Sequence, residues 1–117
     1  MGVRDKFRGL RVGTQEIEQG RLTKRYDGRG ATTIAEAPLR VKTRVAGEIT
    51  SIRVVPRAGS PSLEVSVNDG TGLAVAVFTG RRMIPGVNPG KGVVLDGVAR
   101  QDRNRIVLLN PAYELLG

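Results

Sequence analysis

The sequence predicts an all-β domain, a barrel or a sandwich, preceded by a basic extension. Three observations predict it. Glycine supplies 16 of 117 residues, about twice its usual share near 7%, and with six prolines it marks many tight turns between short elements. From about Leu39 onward, apolar residues alternate at period two, as in half-buried strands. The glycines fall between these β-type segments and not in low-complexity runs, which favours strands joined by turns over a helical bundle.

Residues 1–38 form the extension and 39–117 the domain. The extension carries eight basic residues against five acidic ones, and Gly9, Gly13, Gly20, Gly28 and Gly30 interrupt any long helix. A short helix is expected near residues 14–19, where Glu16 and Glu18 suit a first turn. The arm is otherwise expected to be partly mobile, to bury little and to be dispensable for folding.

Within the domain, Val41, Thr43, Val45, Gly47 and Ile49 share one parity, whereas Ile52 and Val54 fall on the other. A β-bulge inside one long first strand would produce that slip. Pro56 is expected to end the strand, and residues 57–61 to form a loop. Leu63, Val65 and Val67 alternate with polar residues as a second strand. Asp69-Gly70-Thr71-Gly72 reads as a hairpin turn, and residues 73–78 as a third strand. That strand is apolar on both sides, so its second side is either covered or a recognition surface. Residues 80–90 are a loop or short helical turn, limited by Pro85 and Pro89. Val93, Leu95, Gly97 and Ala99 mark a fourth strand, residues 100–105 a turn, and residues 106–109 a fifth strand that Pro111 is expected to stop. Val45, Ile49, Val65 and Leu95 should line the interior with Phe78, and Tyr113 should pack beyond the last strand.

The composition excludes several chemistries. The chain has no Cys, His or Trp, and only two Phe and two Tyr. That leaves no zinc finger, Ser-His-Asp triad, thiol nucleophile or disulfide framework. Carboxylates are scattered one to a segment, so neither acid–base catalysis nor a metal or cofactor site is expected. Residues 86–91 resemble a P-loop only superficially, because that motif needs Gly at 85 and Ser or Thr at 92, where the chain has Pro85 and Gly92. The longest apolar run, residues 73–78, is too short to span a membrane. No apolar stretch follows the basic start, so no secretory signal is expected and the location is expected to be cytoplasmic. With Lys plus Arg at 19, Asp plus Glu at 11 and a net charge of +8, a polyanionic partner is the first expectation.

Five short strands with a long, bulged first one fit a five-stranded OB-fold Greek-key barrel. The segments 45–49 (VAGEI), 68–72 (NDGTG) and 110–114 (NPAYE) occur in an order that resembles the wedge OB domain of RecG-type branch-migration helicases. The loop at 56–59 (PRAG) and the run at 80–86 (GRRMIPG) make the chain more similar still to small actinobacterial OB-fold nucleic-acid-binding proteins. The resemblance covers about residues 39–116. It implies binding of single-stranded or branched nucleic acid on one face of the barrel, DNA first and RNA second, without catalysis. Two features depart from that pattern: the arm lacks the acidic helical lead-in of these proteins, and the barrel has few aromatics for base stacking.

In an OB barrel the loops after strand one and between strands four and five flank the groove. Here they hold Arg57, Arg100, Arg103 and Arg105, with Arg53 close by in sequence. Guanidinium groups suit phosphate through paired donors, and solvated turn charges are the competing reading. Arg81, Arg82 and Lys91 form a second basic cluster, for which a structural or partner-binding role competes evenly. A protein-interaction or oligomerisation module using the outer face of the barrel is the alternative function, and a homo-oligomer or protein partner stays open.

Overall fold

Five strands fall where the alternation places them, most of them longer than expected, and a sixth that was not expected follows Pro111. The computed structural model describes residues 17–26 and 28–117. The first part of the expected 14–19 helix and the arm's Arg4, Lys6, Arg8 and Arg11 lie outside the described residues. Helix α1 covers 17–26, and a 3₁₀ turn follows at Ile34–Glu36. The strands are β1 (Lys42–Arg57), β2 (Ser60–Asn68), β3 (Leu73–Thr79), β4 (Gly92–Asp102), β5 (Arg105–Leu109) and β6 (Ala112–Leu116). Their order is β1-β2-β3-β5-β4-β6, and β1 also pairs with β4. The first five strands therefore close into a barrel, with β3 and β5 parallel and β6 added alongside β4.

β1 makes closure possible by changing partner along its length. Residues Lys42 to Glu48 pair with β4 and Glu48 to Arg57 with β2. At the handover the register against β2 shifts between Ile49 and Ser51, the bulge that the parity slip predicts. The extra residue lets Ile49 and Ile52 both pack on the core. Gly47, just ahead, lies so close to β2 that a Cβ would sit 2.7 Å from the Asn68 carbonyl oxygen and 2.8 Å from Val67 Cγ1. Only glycine allows so close a crossing.

Val45, Ile49, Val65 and Leu95 are each at most 2% exposed and share one core with Ala74, Ala76 and Phe78. Ile34 from the 3₁₀ turn and Ile84 and Val87 from the β3–β4 connection join it. Tyr113 packs edge-on against Phe78, with ring centroids 5.6 Å apart at 80°.

One proline does not end its strand as expected, and the other is followed by a strand that was not expected. Pro56 stays in β1, opposite Pro61 of β2. Beyond Glu48 that part of β1 pairs only with β2, and an edge position tolerates a residue without an N–H. The loop expected at 57–61 shrinks to a turn at Ala58 and Gly59, with φ of 37° and 84°, a primed hairpin turn whose twist matches its strands. β5 does end at Leu109, ahead of Pro111, but a sixth strand resumes pairing with β4 just beyond the proline. The register against β4 shifts by one residue between Ala99↔Leu108 and Asp96↔Ala112, so β5 and β6 act as one bent strand. At the bend Asn110 has φ of 48° and fastens itself to β3: its N–H donates to the Val77 carbonyl at 2.7 Å, and its Oδ1 accepts from the Thr79 N–H at 2.9 Å. β4 also outlasts its expected end, so the turn before β5 is only Arg103 and Asn104.

The described part of the extension buries more than its sparse apolar content implied. Leu22 and Tyr26, four apart and therefore on one face of α1, pack against Ala46 and Val94 on the outside of β1 and β4. The helix crosses so near the β2–β3 turn that a Cβ on Gly70, whose φ is +91°, would collide with the Gln19 carbonyl and the Thr23 hydroxyl. Asp69 ties the two together. Its Oδ1 accepts from the Thr71 N–H (2.9 Å), the Thr71 hydroxyl (2.7 Å) and the Gly72 N–H (3.2 Å), which shapes the turn. Its Oδ2 accepts from the Ile34 N–H at 2.8 Å, which holds the 3₁₀ turn against the barrel. The carboxylate is only 5% exposed, so these donors replace the water it has lost.

Asp69→Ala leaves these donors without their acceptor and should cost on the order of 3 kcal/mol in urea denaturation. Amide exchange should quicken first in the segment from α1 to the 3₁₀ turn. Unchanged stability would show that the clasp is dispensable. Tyr26 gives a second test. Among the described residues its buried hydroxyl has no hydrogen-bond partner. Burial pushes the phenol above its ordinary 10.0, partly opposed by Arg25, whose guanidinium carbon sits 5.2 Å from the ring centroid. The folded state thus favours neutral Tyr26. That stability is present below the ordinary tyrosine pKa and is lost as pH rises through it toward the raised folded value. Tyr26→Phe should keep the neutral-pH melting temperature and flatten its alkaline decline, read from melts across that range.

Candidate nucleic-acid interface

Strand parity decides which side chains share the outer surface. On β3, Ala74, Ala76 and Phe78 enter the core, which turns Val75 and Val77 outward. Val75 lies beside Ser66 of β2 and Val107 of β5, and Val77 beside Glu64 and Leu109. Carried one strand further each way, Ser66 meets Ser51, Glu64 meets Arg53, and Val107 meets Arg100 of β4. A third row pairs Asp102 with Arg105. Register therefore brings Arg53, Arg100 and Arg105 to one outer face, around a cluster of Val75, Val77 and Val107 that is at most 5% exposed. This is the second side of the third strand, and it is distinct from the face that α1 covers.

The loop arginines do not converge. Parallel pairing of β3 with β5 sets the β4–β5 turn, with Arg103, beside the start of β3. The β1–β2 turn lies past the other end, where Thr79 pairs with Ser62. Arg57, whose backbone pairs with Ser60, is thus at the opposite end of the face from Arg103. The expected second cluster also divides. Arg82 lines a hollow beside the β1–β2 hairpin. Lys91 lies at the β1 bulge, its carbonyl accepting from the Ile49 N–H at 2.8 Å.

The charges differ in how they are compensated. Arg53 Nη2 sits 3.0 Å from Glu64 Oε1, and Arg105 Nη2 3.1 Å from Asp102 Oδ2. Arg81, Arg82, Arg100, Arg103 and Lys91 are exposed and form no ion pair with an acidic side chain among the described residues. On the α1 side, Arg21 and Arg25 both reach Glu48, and Arg44 reaches Asp96 at 2.7 Å. Of the arginines without a carboxylate partner, Arg100 lies beside Val107 on this face and Arg103 sits in the β4–β5 turn at its end.

The face carries guanidinium groups around a closely packed aliphatic cluster. No described aromatic lies on it: Tyr26 is on α1, Phe78 is in the core and Tyr113 is on β6. A hollow of about 270 Å³ borders it, between the 3₁₀ turn, the β2–β3 turn and the β4–β5 turn, with Gln101, Asn104 and Arg105 on its wall. Among the described residues no group of His, Cys, Asp or Glu is placed to hold a metal ion, and no helix is long and apolar enough to cross a membrane. No protein-family model matches the chain, and no curated protein is significantly similar to it in sequence.

Sorting arginines by loop missed this arrangement. The usable signal was the polar parity of the second strand: Ser62, Glu64 and Ser66 alternate with core residues and so mark the outward side of β2.

Proposed function

We propose that the barrel is an OB-fold and that the protein binds nucleic acid without catalysing a reaction on it. Single-stranded or branched DNA lies across the outer face of β2, β3 and β5, with RNA as the second ligand. The observation that carries this reading is the pair of uncompensated arginines, Arg100 and Arg103, bordering the Val75–Val77–Val107 cluster. A strand order in which β1 pairs with both β2 and β4, with the second and third strands at the centre of the open face, supports the OB assignment. So do the segments 45–49, 68–72 and 110–114, which resemble those of small actinobacterial OB-fold proteins and RecG-type wedge domains.

Binding on this face works through the backbone. Arg100 and Arg103 meet phosphates without first leaving a carboxylate. Arg53 and Arg105 must exchange Glu64 and Asp102 for phosphate, so each contributes less net affinity. Val75, Val77 and Val107 are at most 5% exposed and no described aromatic lies on the face, so bases find little to stack on and recognition is tolerant of sequence. Affinity should then fall steeply with salt, by about 0.7 log units per log unit of salt for each phosphate contact on a single strand.

Arg100→Glu with Arg103→Glu should weaken binding of a thymidine oligonucleotide and flatten the salt slope by about 1.4, the share of two contacts. Fluorescence anisotropy across a salt series measures both, with RNA, duplex and forked DNA compared at one salt concentration. Affinity that ignores salt, or an unchanged slope in the double variant, overturns the reading.

A further inference from the structure

The β1–β2 hairpin is longer than the barrel requires. β3 stops pairing with β2 at Thr79↔Ser62, yet the hairpin continues to its turn at Ala58 and Gly59. Directly opposed residues share a face, and Val54 lies opposite Leu63, with Pro56 opposite Pro61. Leu63 is in the core at 1% exposure, whereas Val54 is 47% exposed. The core-facing side of the hairpin thus runs on past the core it belongs to. There it walls a hollow of about 350 Å³ whose lining includes one charged side chain, Arg82 from the β3–β4 connection. Arg82 has no acidic partner among the described residues.

An apolar wall beside an uncompensated guanidinium selects its occupant. A second copy would bring two +8 chains together with Arg82 facing like charge. A nucleic acid would gain one phosphate contact, but Val54, Pro56 and Pro61 carry no polar side-chain group, which leaves only the Ser60 hydroxyl among the described lining side chains to meet base edges. An acidic segment with a large apolar side chain satisfies both features at once.

We propose that this hollow docks an acidic protein segment, which places an apolar side chain between Val54, Pro56 and Pro61 and a carboxylate on Arg82. Long-range attraction to the +8 chain speeds the encounter. The apolar contact then distinguishes the segment from any other polyanion. The site is separate from the Arg100–Arg103 face, so the two can be occupied independently.

Selection of short random displayed peptides against the full chain tests this, followed by anisotropy with a recovered peptide. Recovered sequences should combine Asp or Glu with a large apolar residue. Arg82→Glu should weaken that peptide about tenfold or more, the scale of one charge-assisted hydrogen bond. Val54→Asp and the milder Val54→Ser should weaken it too, with Arg82→Glu keeping the test valid if either Val54 variant melts early. Arg100→Glu should leave it unchanged. No enrichment, recovery of acidic peptides lacking apolar residues, or indifference to these variants overturns the proposal. Displacement of the peptide by a thymidine oligonucleotide would also overturn it and assign the hollow to nucleic acid.

Discussion

β1 is hydrogen-bonded to β4 over its first half and to β2 over its second, and the barrel exists because one strand serves both neighbours. A strand can do this only if it coils sharply where the partners change. Two local features supply the coil. Gly47 permits backbone contact that any Cβ would block, and the bulge between Ile49 and Ser51 inserts the residue that returns Ile52 to the core. Everything downstream follows from this crossing. It sets the register of β2, hence of β3, and hence which residues of β3 and β5 face outward.

The closed barrel has two outer faces, and they are treated differently. The β1–β4 side is sealed by α1, with Leu22 and Tyr26 over Ala46 and Val94, and three arginines there are tied to carboxylates. Asp69 secures this arrangement by serving the β2–β3 turn and the 3₁₀ turn with the same buried carboxylate. Among the described residues no helix packs on the β2–β3–β5 side. Its valine cluster is at most 5% exposed, and among the described residues its bordering arginines are only partly paired with carboxylates.

The hairpin beyond Ser62 shows a different use of the same pattern. Its inward parity is apolar because it continues the core face of β1 and β2, but the barrel ends before the hairpin does. Two prolines facing each other stiffen it, and neither can donate a backbone hydrogen bond at its edge. That protects an exposed hairpin from pairing with another strand while leaving its apolar side chains accessible.

How much of this was legible beforehand follows from the range of the interactions involved. Alternation placed all five barrel strands, the core at Val45, Ile49, Val65 and Leu95, and the bulge, because each depends on residues within a few positions of one another. Pro56 misled for a related reason. Whether it ends a strand depends on whether a neighbour needs its missing N–H, and that neighbour is distant in sequence. The extension was misread because two apolar residues bury a helix only if a matching patch awaits it, and that patch, Ala46 with Val94, forms when β1 meets β4. The arginines were likewise nameable as basic residues near turns. Which of them share a face and which lack a carboxylate partner was decided only by strand register and barrel closure, because ion pairs such as Arg53–Glu64 join residues that the chain alone does not bring together.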